Sequence, residues 1–553
     1  MWTIKVRNRE KQLEEYGKSK NKISEENIKK EARNKIMKQY EMYELSMTGK
    51  KLTDNQVRIQ LDVAVTVDGE TKTVRAFYDG ENENGEGVYK VRIYPEKTGE
   101  YKIIVKENEY NVCAEKRLFC EPQPENSMHH GIVQPYETHF RYADGTWFYP
   151  FGTTVYALAH QPVDVIEQTF DTLSKNPFNK VRMCIFPKHY DFNKNEPEFF
   201  PFQKTADGKW DVNRPDFEFW HRMDAHIERL DAMGIQCDLI LFHPYDKWGF
   251  SKLPMDDALT YLEYVIRRYA AMPHIWWSLA NEYDLLDYEM ADWEQFAEYL
   301  HQNELWHHLL SCHQIVTPWD FHNKNTTHIC HQSGEVDQVG IWIRQFDKPL
   351  MIDETGYEGN IQFDWGNLSA FEMVNRFWIT VAQGGYCTHG ETLFKEDGLL
   401  WWAMGGTLIG ESPARIRFLK ELIDQMPGPL TYCGKYMDET IFNHYKQTMK
   451  PEDAPNDLVK LMLKLPWEKG RHLAMAGREY ESCFEEQVYL KYYARHCTSI
   501  GALKLPEDKK YKVEMIDVWE MTRTTLLEYV SGNVEVKLPG KEGIALFATA
   551  EAE

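Results

Sequence analysis

The chain has 553 residues, too many for one hydrophobic core, so two to four domains are expected. Its net charge of -22 argues against nucleic acid and anionic membranes as partners, because both are negatively charged and select basic surfaces. Hydrophobic residues make up 42% of the sequence, enough for complete cores, and no apolar run reaches the roughly 18 residues that a membrane span requires.

Residues 1–38 are highly charged and show only weak helical periodicity, so we expect a solvated helix or a mobile arm there. The segment lacks the apolar stretch of a secretory signal, which favours a cytoplasmic location. The ten cysteines form no CxxC pair, and several lie in predicted buried strands. Reduced thiols with a structural role are therefore expected.

Two regions carry the period-two pattern of β-strands. In residues 39–121, apolar and polar residues alternate between turns such as Asp79-Gly80 and Asn84-Gly85, which predicts an immunoglobulin-like β-sandwich. The pattern returns in residues 429–553, with candidate strands at 487–493, 510–517 and 534–538. We therefore predict a second, C-terminal β-sandwich.

Between these regions, residues 122–428 alternate strands with helices, which predicts a parallel α/β architecture. Helical patterns include 217–233, which ends at Gly234, and a helix that opens at Ser412-Pro413. Eight strand–helix units in about 300 residues are typical of a (β/α)8 TIM barrel. The candidate strands are 147–158, 180–186, 236–242, 275–280, 309–312, 327–331, 349–353 and 385–389.

Two of these strands end in a glutamate. Strand four, 275–280, runs into Asn281-Glu282, and strand seven, 349–353, runs into Glu354. The Asn-Glu dipeptide also occurs at four other places, in polar and turn-like sequence where a solvated surface is the ordinary interpretation. Catalytic groups of such barrels lie at the C-terminal ends of strands. The context therefore predicts a catalytic pair, because two carboxylates carry out glycoside hydrolysis.

In a retaining glycosidase the two carboxyl groups lie about 5–5.5 Å apart on opposite sides of the anomeric carbon. Glu282 is expected to protonate the leaving oxygen and later to activate water, while Glu354 attacks the carbon. The acid must stay protonated near neutral pH, so we expect apolar surroundings and the other carboxylate to raise its pKa. Asn281 is expected to bind the sugar hydroxyl beside the reacting carbon.

Other strand ends supply candidate substrate-binding residues, although each also fits a core role. A buried ion pair explains Arg182 almost as well, and Glu391 is the strongest rival to the assigned carboxylates. The sequence contains no HExxH, GxSxG, phosphate loop or GxGxxG after a strand, so no metal and no cofactor are predicted. The candidates are Arg182, His243, Asp246, His331, Gln332, His389, Glu391, Trp401 and Trp402.

Two motifs carry a family resemblance. Ser278-Leu-Ala-Asn-Glu282 and Ile352-Asp-Glu-Thr-Gly356 are similar to the motifs of the glycoside hydrolase clan that places its acid/base after strand four and its nucleophile after strand seven. Many members of that clan hold the nucleophile with a tyrosine near strand six. This chain offers His328 and His331 instead, which leaves open what positions Glu354.

More closely, the chain resembles bacterial apiosidase-like glycosidases. The segments Ile240-Leu-Phe-His-Pro-Tyr-Asp246, Thr388-His-Gly-Glu391 and Gly410-Glu-Ser-Pro413 carry this resemblance, which runs from about residue 39 to the end. It implies an N-terminal immunoglobulin-like domain, a catalytic barrel and a C-terminal β-sandwich. Members act on varied sugars, so the resemblance implies the chemistry more than the substrate.

Together these features predict a retaining β-glycosidase that acts on short oligosaccharides or glycosides by double displacement. Insertions after strands two and eight would close one end of the cleft, which favours exo action. Two alternatives stay open: a carbohydrate-binding barrel without activity, and a transglycosylase or phosphorylase that uses the same carboxylates. A homo-oligomer is compatible with the sequence.

Overall fold

The computed structural model describes residues 36–434, 439–474 and 480–551. The charged segment predicted for residues 1–38 therefore lies almost wholly outside the described residues, and Met37–Lys38 is a short strand. No helix in the described ranges is both long enough and apolar enough to cross a membrane.

The predicted (β/α)8 barrel is confirmed. Within residues 36–434, eight parallel strands lie in the spatial order five, four, three, two, one, eight, seven, six. Strands five and six are joined by a hydrogen bond from Thr327 N–H to the Leu310 carbonyl oxygen at 2.8 Å, which nearly closes the sheet. The strands are Phe151–Thr154, Lys180–Cys184, Gln236–Phe242, Ile275–Ala280, Leu310–Ser311, Ile329–Gln332, Leu350–Glu354 and Tyr386–His389.

The first barrel strand is shorter than predicted, because Trp147–Phe148 joins an antiparallel sheet with Val133–Tyr136 and His139–Tyr142. Strands three and four are buried along their whole length, as expected for a parallel sheet covered on both faces.

Helices surround the barrel sheet, and their sequences explain where they begin. The Asp216 carboxylate accepts a hydrogen bond from Glu218 N–H at the start of one helix, and the Ser369 hydroxyl accepts one from Glu372 N–H in another. Short 3₁₀ turns follow several strands, including Tyr283–Leu285 directly after Glu282. The helices are Val163–Ser174, Phe217–Asp231, Met255–Tyr269, Met290–Asn303, Val339–Phe346, Ala370–Val381, Trp401–Met404 and Ser412–Asp424.

The N-terminal β region consists of two sheets, and their buried apolar residues are continuous with the core of the barrel. The alternating residues that predicted this region, such as Val63 and Val65, are buried. One sheet contains Met37–Lys38, Asp62–Val67, Glu70–Arg75, Gly99–Val105 and Ala114–Glu121, and the other contains Tyr43–Gly49, Phe77–Glu81 and Gly87–Ile93.

The C-terminal region is rich in β structure, as predicted, but helices precede most of its strands. Three helices, Glu439–Thr448, Asp457–Lys464 and Trp467–Ala474, lie in the range that the sequence analysis assigned to a β-sandwich. The apolar residues Val459, Met462 and Leu463 recur at helical rather than alternating spacing, and they are buried. The strands are Thr431–Tyr432, Tyr480–Phe484, Val488–Tyr492, Ile500–Lys504, Tyr511–Asp517, Thr522–Val530, Asn533–Lys537 and Ile544–Ala550.

Two loops after barrel strands form small additional sheets. The insertion after strand two contains a hairpin of Phe202–Lys204 and Trp210–Pro215. Beyond strands seven and eight, Glu358–Gly359 pairs in parallel with Glu391–Thr392, which brings the loops that follow these two strands together.

A buried cluster of charges joins the N-terminal region to the barrel. Arg92 lies on the strand Gly87–Ile93, and it pairs with Asp224 of a barrel helix at 2.5 Å. Arg268, from the next helix, also pairs with Asp224 at 2.7 Å, and with Asp79 of the N-terminal region at 2.6 Å. Both arginines are fully buried, so the removal of a partner leaves an uncompensated charge inside the protein.

We predict that Asp224→Ala lowers the free energy of unfolding by about 3–5 kcal/mol, because it leaves two buried guanidiniums without their shared carboxylate. Asp256→Ala is the matched control, since Asp256 pairs with Arg58 of the N-terminal region at 2.9 Å but is 79% exposed. We expect the control to cost less than about 1 kcal/mol. Chemical denaturation measures both effects, and equal effects would contradict the account.

Candidate active site

Glu282 is held in an unusual backbone conformation at the end of strand four. Its φ of 54° and ψ of 56° lie in the left-handed region, which residues other than glycine seldom adopt. Such strain is concentrated at functional sites. The carboxylate is buried, and it accepts hydrogen bonds from the Tyr245 hydroxyl at Oε2 and from Gln332 Nε2 at Oε1, the latter at 3.3 Å.

Glu354, the last residue of strand seven, is held by more donors. The Tyr156 hydroxyl donates to its Oε1, and the Tyr357 hydroxyl donates to its Oε2 at 2.5 Å. The Arg182 guanidinium lies 3.4 Å from Oε1. Two tyrosines and an arginine therefore position Glu354, which answers the question that the strand-six histidines left open.

One network connects the surroundings of the two carboxylates. Tyr156 Oη, which contacts Glu354, also lies 2.8 Å from Asn281 Oδ1, and Arg182 Nη2 lies 3.4 Å from the same oxygen. Asn281 is the neighbour of Glu282 in the chain. Burial raises the pKa of Tyr357, and the negative charges of Glu354 and Glu282 both raise it further. Both carboxylates therefore act on the same hydroxyl group.

Glu354 has a raised pKa that the sequence analysis did not anticipate. Burial raises the pKa of Glu354 to about 8, and the hydrogen bond from Tyr357 opposes that rise. The nearby Arg182 and the Tyr156 hydroxyl also favour the ionised form, because both interact better with a negative charge. The site thus shields the Glu354 carboxylate from water and provides hydrogen-bond donors from fixed side chains in place of water.

Buried polar atoms around the two carboxylates have no hydrogen-bond partner among the described residues. Such atoms cost free energy unless a ligand or water satisfies them, so their clustering marks a place where polar groups of a ligand bind. His313, which follows strand five, is one of them, and its Nε2 lies 3.9 Å from Glu354 Oε1. The atoms are Tyr190 Oη, Asn281 Nδ2, both ring nitrogens of His313, Gln332 Oε1 and Trp402 Nε1.

Lys188 is a buried cation beside the carboxylates. Its Nζ lies 3.4 Å from the centre of the Tyr156 ring, 4.4 Å from that of Tyr245 and 4.8 Å from that of Tyr190, in cation–π contacts. Burial lowers its pKa to about 8, although the charge of Glu282 acts in the opposite direction. Lys188 therefore packs against a hydroxyl donor of each carboxylate.

The indole of Trp402 forms an aromatic wall of the site. It packs against Tyr156, Tyr190 and Tyr357, with ring centres 5.3–5.8 Å away, and against Phe192 and Trp365 from other loops. A flat ring with a polar edge is well suited to contact a sugar.

The structure brings six of the predicted residues together, namely Arg182, Asn281, Glu282, Gln332, Glu354 and Trp402. His243 and His331 each have one ring nitrogen engaged elsewhere and one that is buried without a hydrogen-bond partner among the described residues. His243 Nε2 pairs with the Phe186 carbonyl oxygen at 3.1 Å, and His331 Nδ1 pairs with Gln314 Nε2 at 3.1 Å.

Four further candidates are outside this network. Asp246 accepts hydrogen bonds from the backbone of its own loop, at residues 248, 249 and 251. Trp401 donates to the Thr153 hydroxyl at 2.8 Å, and His389 pairs with the same oxygen at 3.2 Å. Glu391 accepts from backbone N–H groups, including that of Gly410 at 2.7 Å.

The pleat of strand eight explains the position of His389. Successive side chains of a strand point to opposite faces. The Thr388 hydroxyl donates to Asp353 within the barrel, whereas His389 stacks on Phe178 on the other face, with ring centres 4.8 Å apart. Site residues do lie at the ends of strands, but alternate residues of a strand face different surroundings, so position at a strand end alone does not identify them.

Sequence reasoning missed several residues of the site: Tyr156, Lys188, Tyr245, His313 and Tyr357. Each lies within a few residues of the C-terminal end of a barrel strand, so position offered a signal. The residue types gave no further signal of a site, because tyrosine and histidine are often partly buried and also contact backbone groups.

Family models match three regions of the chain. Residues 135–392 match the family model of the apiosidase-like catalytic domain. The barrel is similar to the catalytic domain of that family. Residues 36–108 and 474–548 match two domains of unknown function, DUF5060 and DUF5605, so the resemblance seen in the sequence is confirmed.

Solved structures are similar to this chain over most of its length. A Bacteroides vulgatus protein described as a "putative glycoside hydrolase" is 29% identical with a TM-score of 0.79, over 94% of this chain and 100% of that one. A glycoside hydrolase of family 5 from the same species is 13% identical with a TM-score of 0.54, over 76% and 94% of the two chains, which shows a shared fold. The comparison with curated proteins found no match.

Proposed function

We propose that the protein is a retaining glycoside hydrolase that cleaves a β-glycosidic bond by double displacement. The observation that carries this proposal is the pair Glu282 and Glu354, buried at the ends of strands four and seven. Asn281, the chain neighbour of Glu282, is joined to Glu354 through Tyr156. Two carboxylates that share one site are the groups that this reaction requires. The apiosidase-like match of the barrel supports the same reaction class.

The donors around each carboxylate support the assignment of roles. Glu354 is contacted by Tyr156, Tyr357 and Arg182, which interact better with the anion of a nucleophile and so work against the rise in pKa that burial causes. In the first step, Glu354 bonds to the anomeric carbon while Glu282 gives its proton to the leaving oxygen. In the second step, Glu282 takes a proton from water, and the water oxygen replaces Glu354 at the carbon.

The lining of the site supports a small, neutral sugar substrate. The unpartnered atoms of His313, Gln332 and Asn281 offer donors and acceptors for sugar hydroxyls, beside the indole of Trp402. Phe192 and Trp365, from the loops after strands two and seven, pack against that indole. This aromatic packing beside the reacting groups favours exo action on short oligosaccharides or glycosides.

We predict that Glu354→Ala abolishes cleavage of an aryl glycoside that the wild type hydrolyses, and that azide restores it. Azide then occupies the space left by the carboxylate and attacks from that side, so the product is a glycosyl azide of inverted configuration. Glu282→Ala is the matched variant. Its reaction stalls at the covalent intermediate, and azide releases a product of retained configuration.

Nuclear magnetic resonance of the two azide products measures both configurations. The catalytic assignment is wrong if Glu354→Ala keeps normal turnover, and the two roles are exchanged if the configurations are reversed. A wild type that binds sugars in calorimetry without cleaving any of a broad panel of aryl glycosides would favour a binding protein.

We also predict the direction of a pH effect. Because Glu354 must be ionised to attack, activity falls as the pH drops below its pKa. The Tyr357 hydroxyl lowers that pKa, so Tyr357→Phe should move the acid limb of the kcat/KM profile upward by about one pH unit, since a hydrogen bond to a charged group contributes roughly 1.5–3 kcal/mol.

Tyr288→Phe is the control for this shift. It removes a hydroxyl that donates to the Leu253 carbonyl oxygen at 2.6 Å, away from both carboxylates. We expect the control to leave the acid limb in place. An acid limb in Tyr357→Phe that stays put or moves downward would show that Tyr357 does not stabilise the ionised nucleophile.

A further inference from the structure

A second pair of buried carboxylates lies beyond the ends of strands seven and eight. Glu358 and Glu391 are paired across the short parallel sheet that follows these strands. Together with His389 they bring one ligand atom each to within 4.8 Å of one another. Their exposed fractions are 4%, 1% and 0%, so the three groups are shielded from water.

Hydrogen bonds offset the negative charge of these two carboxylates only in part. Glu391 accepts from the backbone N–H groups of Ile409 and Gly410, and Glu358 accepts from those of Glu411 and Ser412 and from the Ser412 hydroxyl. These donors are neutral groups, and the two carboxylates lie close together with almost no exposure to water. The two carboxylates therefore bring an excess of negative charge into a buried position.

Lys395, whose positive charge acts on Glu391, is itself held by another group. Its Nζ donates to the Thr407 carbonyl oxygen at 2.6 Å. A cation that is smaller than a lysine side chain and binds both carboxylates would neutralise the pair more directly.

His389 provides an independent sign of a ligand. Its Nδ1 lies 3.2 Å from Thr153 Oγ1, whereas its Nε2 is buried and has no hydrogen-bond partner among the described residues. A metal ion at Nε2 would select the tautomer in which Nδ1–H donates to the threonine oxygen, an oxygen that also accepts from the Trp401 indole. Metal-binding histidines are fixed in this way, by a hydrogen bond from the ring nitrogen that does not hold the metal.

We propose that Glu358, His389 and Glu391 form a binding site for a divalent transition-metal ion, Zn²⁺ or Mn²⁺. Two carboxylates with one imidazole suit these ions, whereas Ca²⁺ and Mg²⁺ prefer oxygen ligands alone. Tetrahedral Zn²⁺ with bonds of about 2.0–2.2 Å holds its ligand atoms about 3.4 Å apart. The three ligand atoms lie within 4.8 Å of one another, so the most distant pair has to approach by up to about 1.4 Å.

A metal ion at the proposed site would stabilise the segments that follow strands seven and eight, next to Glu354. Glu358 directly follows Tyr357, which donates to Glu354, and His389 ends barrel strand eight. Through their backbone hydrogen bonds the carboxylates also hold residues 409–412, where the helix Ser412–Asp424 begins. The metal site is independent of the proposed glycosidase reaction, so metal binding tests it without any assay of activity.

The test uses the full chain, freed of metal by a chelator and titrated in a calorimeter with Zn²⁺, Mn²⁺, Ca²⁺ or Mg²⁺ alone. We expect one equivalent of Zn²⁺ or Mn²⁺ to bind, with at least tenfold weaker binding of Ca²⁺ and Mg²⁺, and the bound ion to raise the melting temperature. Glu391→Gln should weaken Mn²⁺ binding at least tenfold, because it removes a charged ligand of similar size.

Glu304→Gln is the matched control, since Glu304 is a buried glutamate that also binds backbone N–H groups and a histidine, His308 at 3.1 Å. It should leave metal affinity unchanged. If the wild type binds no equivalent of either ion, or if Glu391→Gln binds as tightly as the wild type, the site does not exist and a shared proton neutralises the pair.

X-ray absorption of the Zn²⁺-loaded wild type keeps the test decisive if the variant fails to fold. We expect one imidazole nitrogen and several oxygen ligands around the ion. Because the described chain has free cysteines, sulfur ligands would instead reveal binding at thiols and would overturn the proposal.

Discussion

The burial of two acidic side chains at one end of a parallel barrel is the constraint on which this structure depends. An ionised carboxylate removed from water needs donors or a cation, and the barrel supplies them from several strand ends at once. Arg182 on strand two and Tyr156 just beyond strand one both reach Glu354, while Tyr245 and Gln332 reach Glu282. The parallel topology makes this convergence possible, because all C-terminal strand ends meet at the same mouth.

Two glutamate pairs in one barrel show why proximity alone does not define an active site. The oxygens of Glu358 and Glu391 are occupied by backbone N–H groups of residues 409–412. The oxygens of Glu282 and Glu354 are held by side chains, and further polar atoms nearby have no partner. Several unpartnered atoms beside Glu282 and Glu354 favour a ligand with many polar groups, whereas the unpartnered His389 Nε2 beside Glu358 and Glu391 fits a single ion.

The sequence was sufficient to predict the barrel, its strands and the positions of Glu282 and Glu354. Continuous apolar runs that end in a polar residue are a local signal, and strands three and four were predicted with the same bounds as the structure has. The neighbours of the carboxylates were harder to predict. Tyr156 and Tyr357 act through their hydroxyl groups, but the same residue type elsewhere only fills the core, and period-two alternation directs Thr388 and His389 to different faces.

The central claim is that Glu354 forms a covalent bond to the sugar, and trapping that intermediate tests it most directly. The protein is incubated with the 2-deoxy-2-fluoro analogue of the aryl glycoside that it cleaves fastest, an analogue that slows release of the intermediate. Peptide mass spectrometry then locates the attached sugar. The account predicts one sugar per chain on Glu354, and a sugar found on Glu282, Glu358 or Glu391 would contradict it.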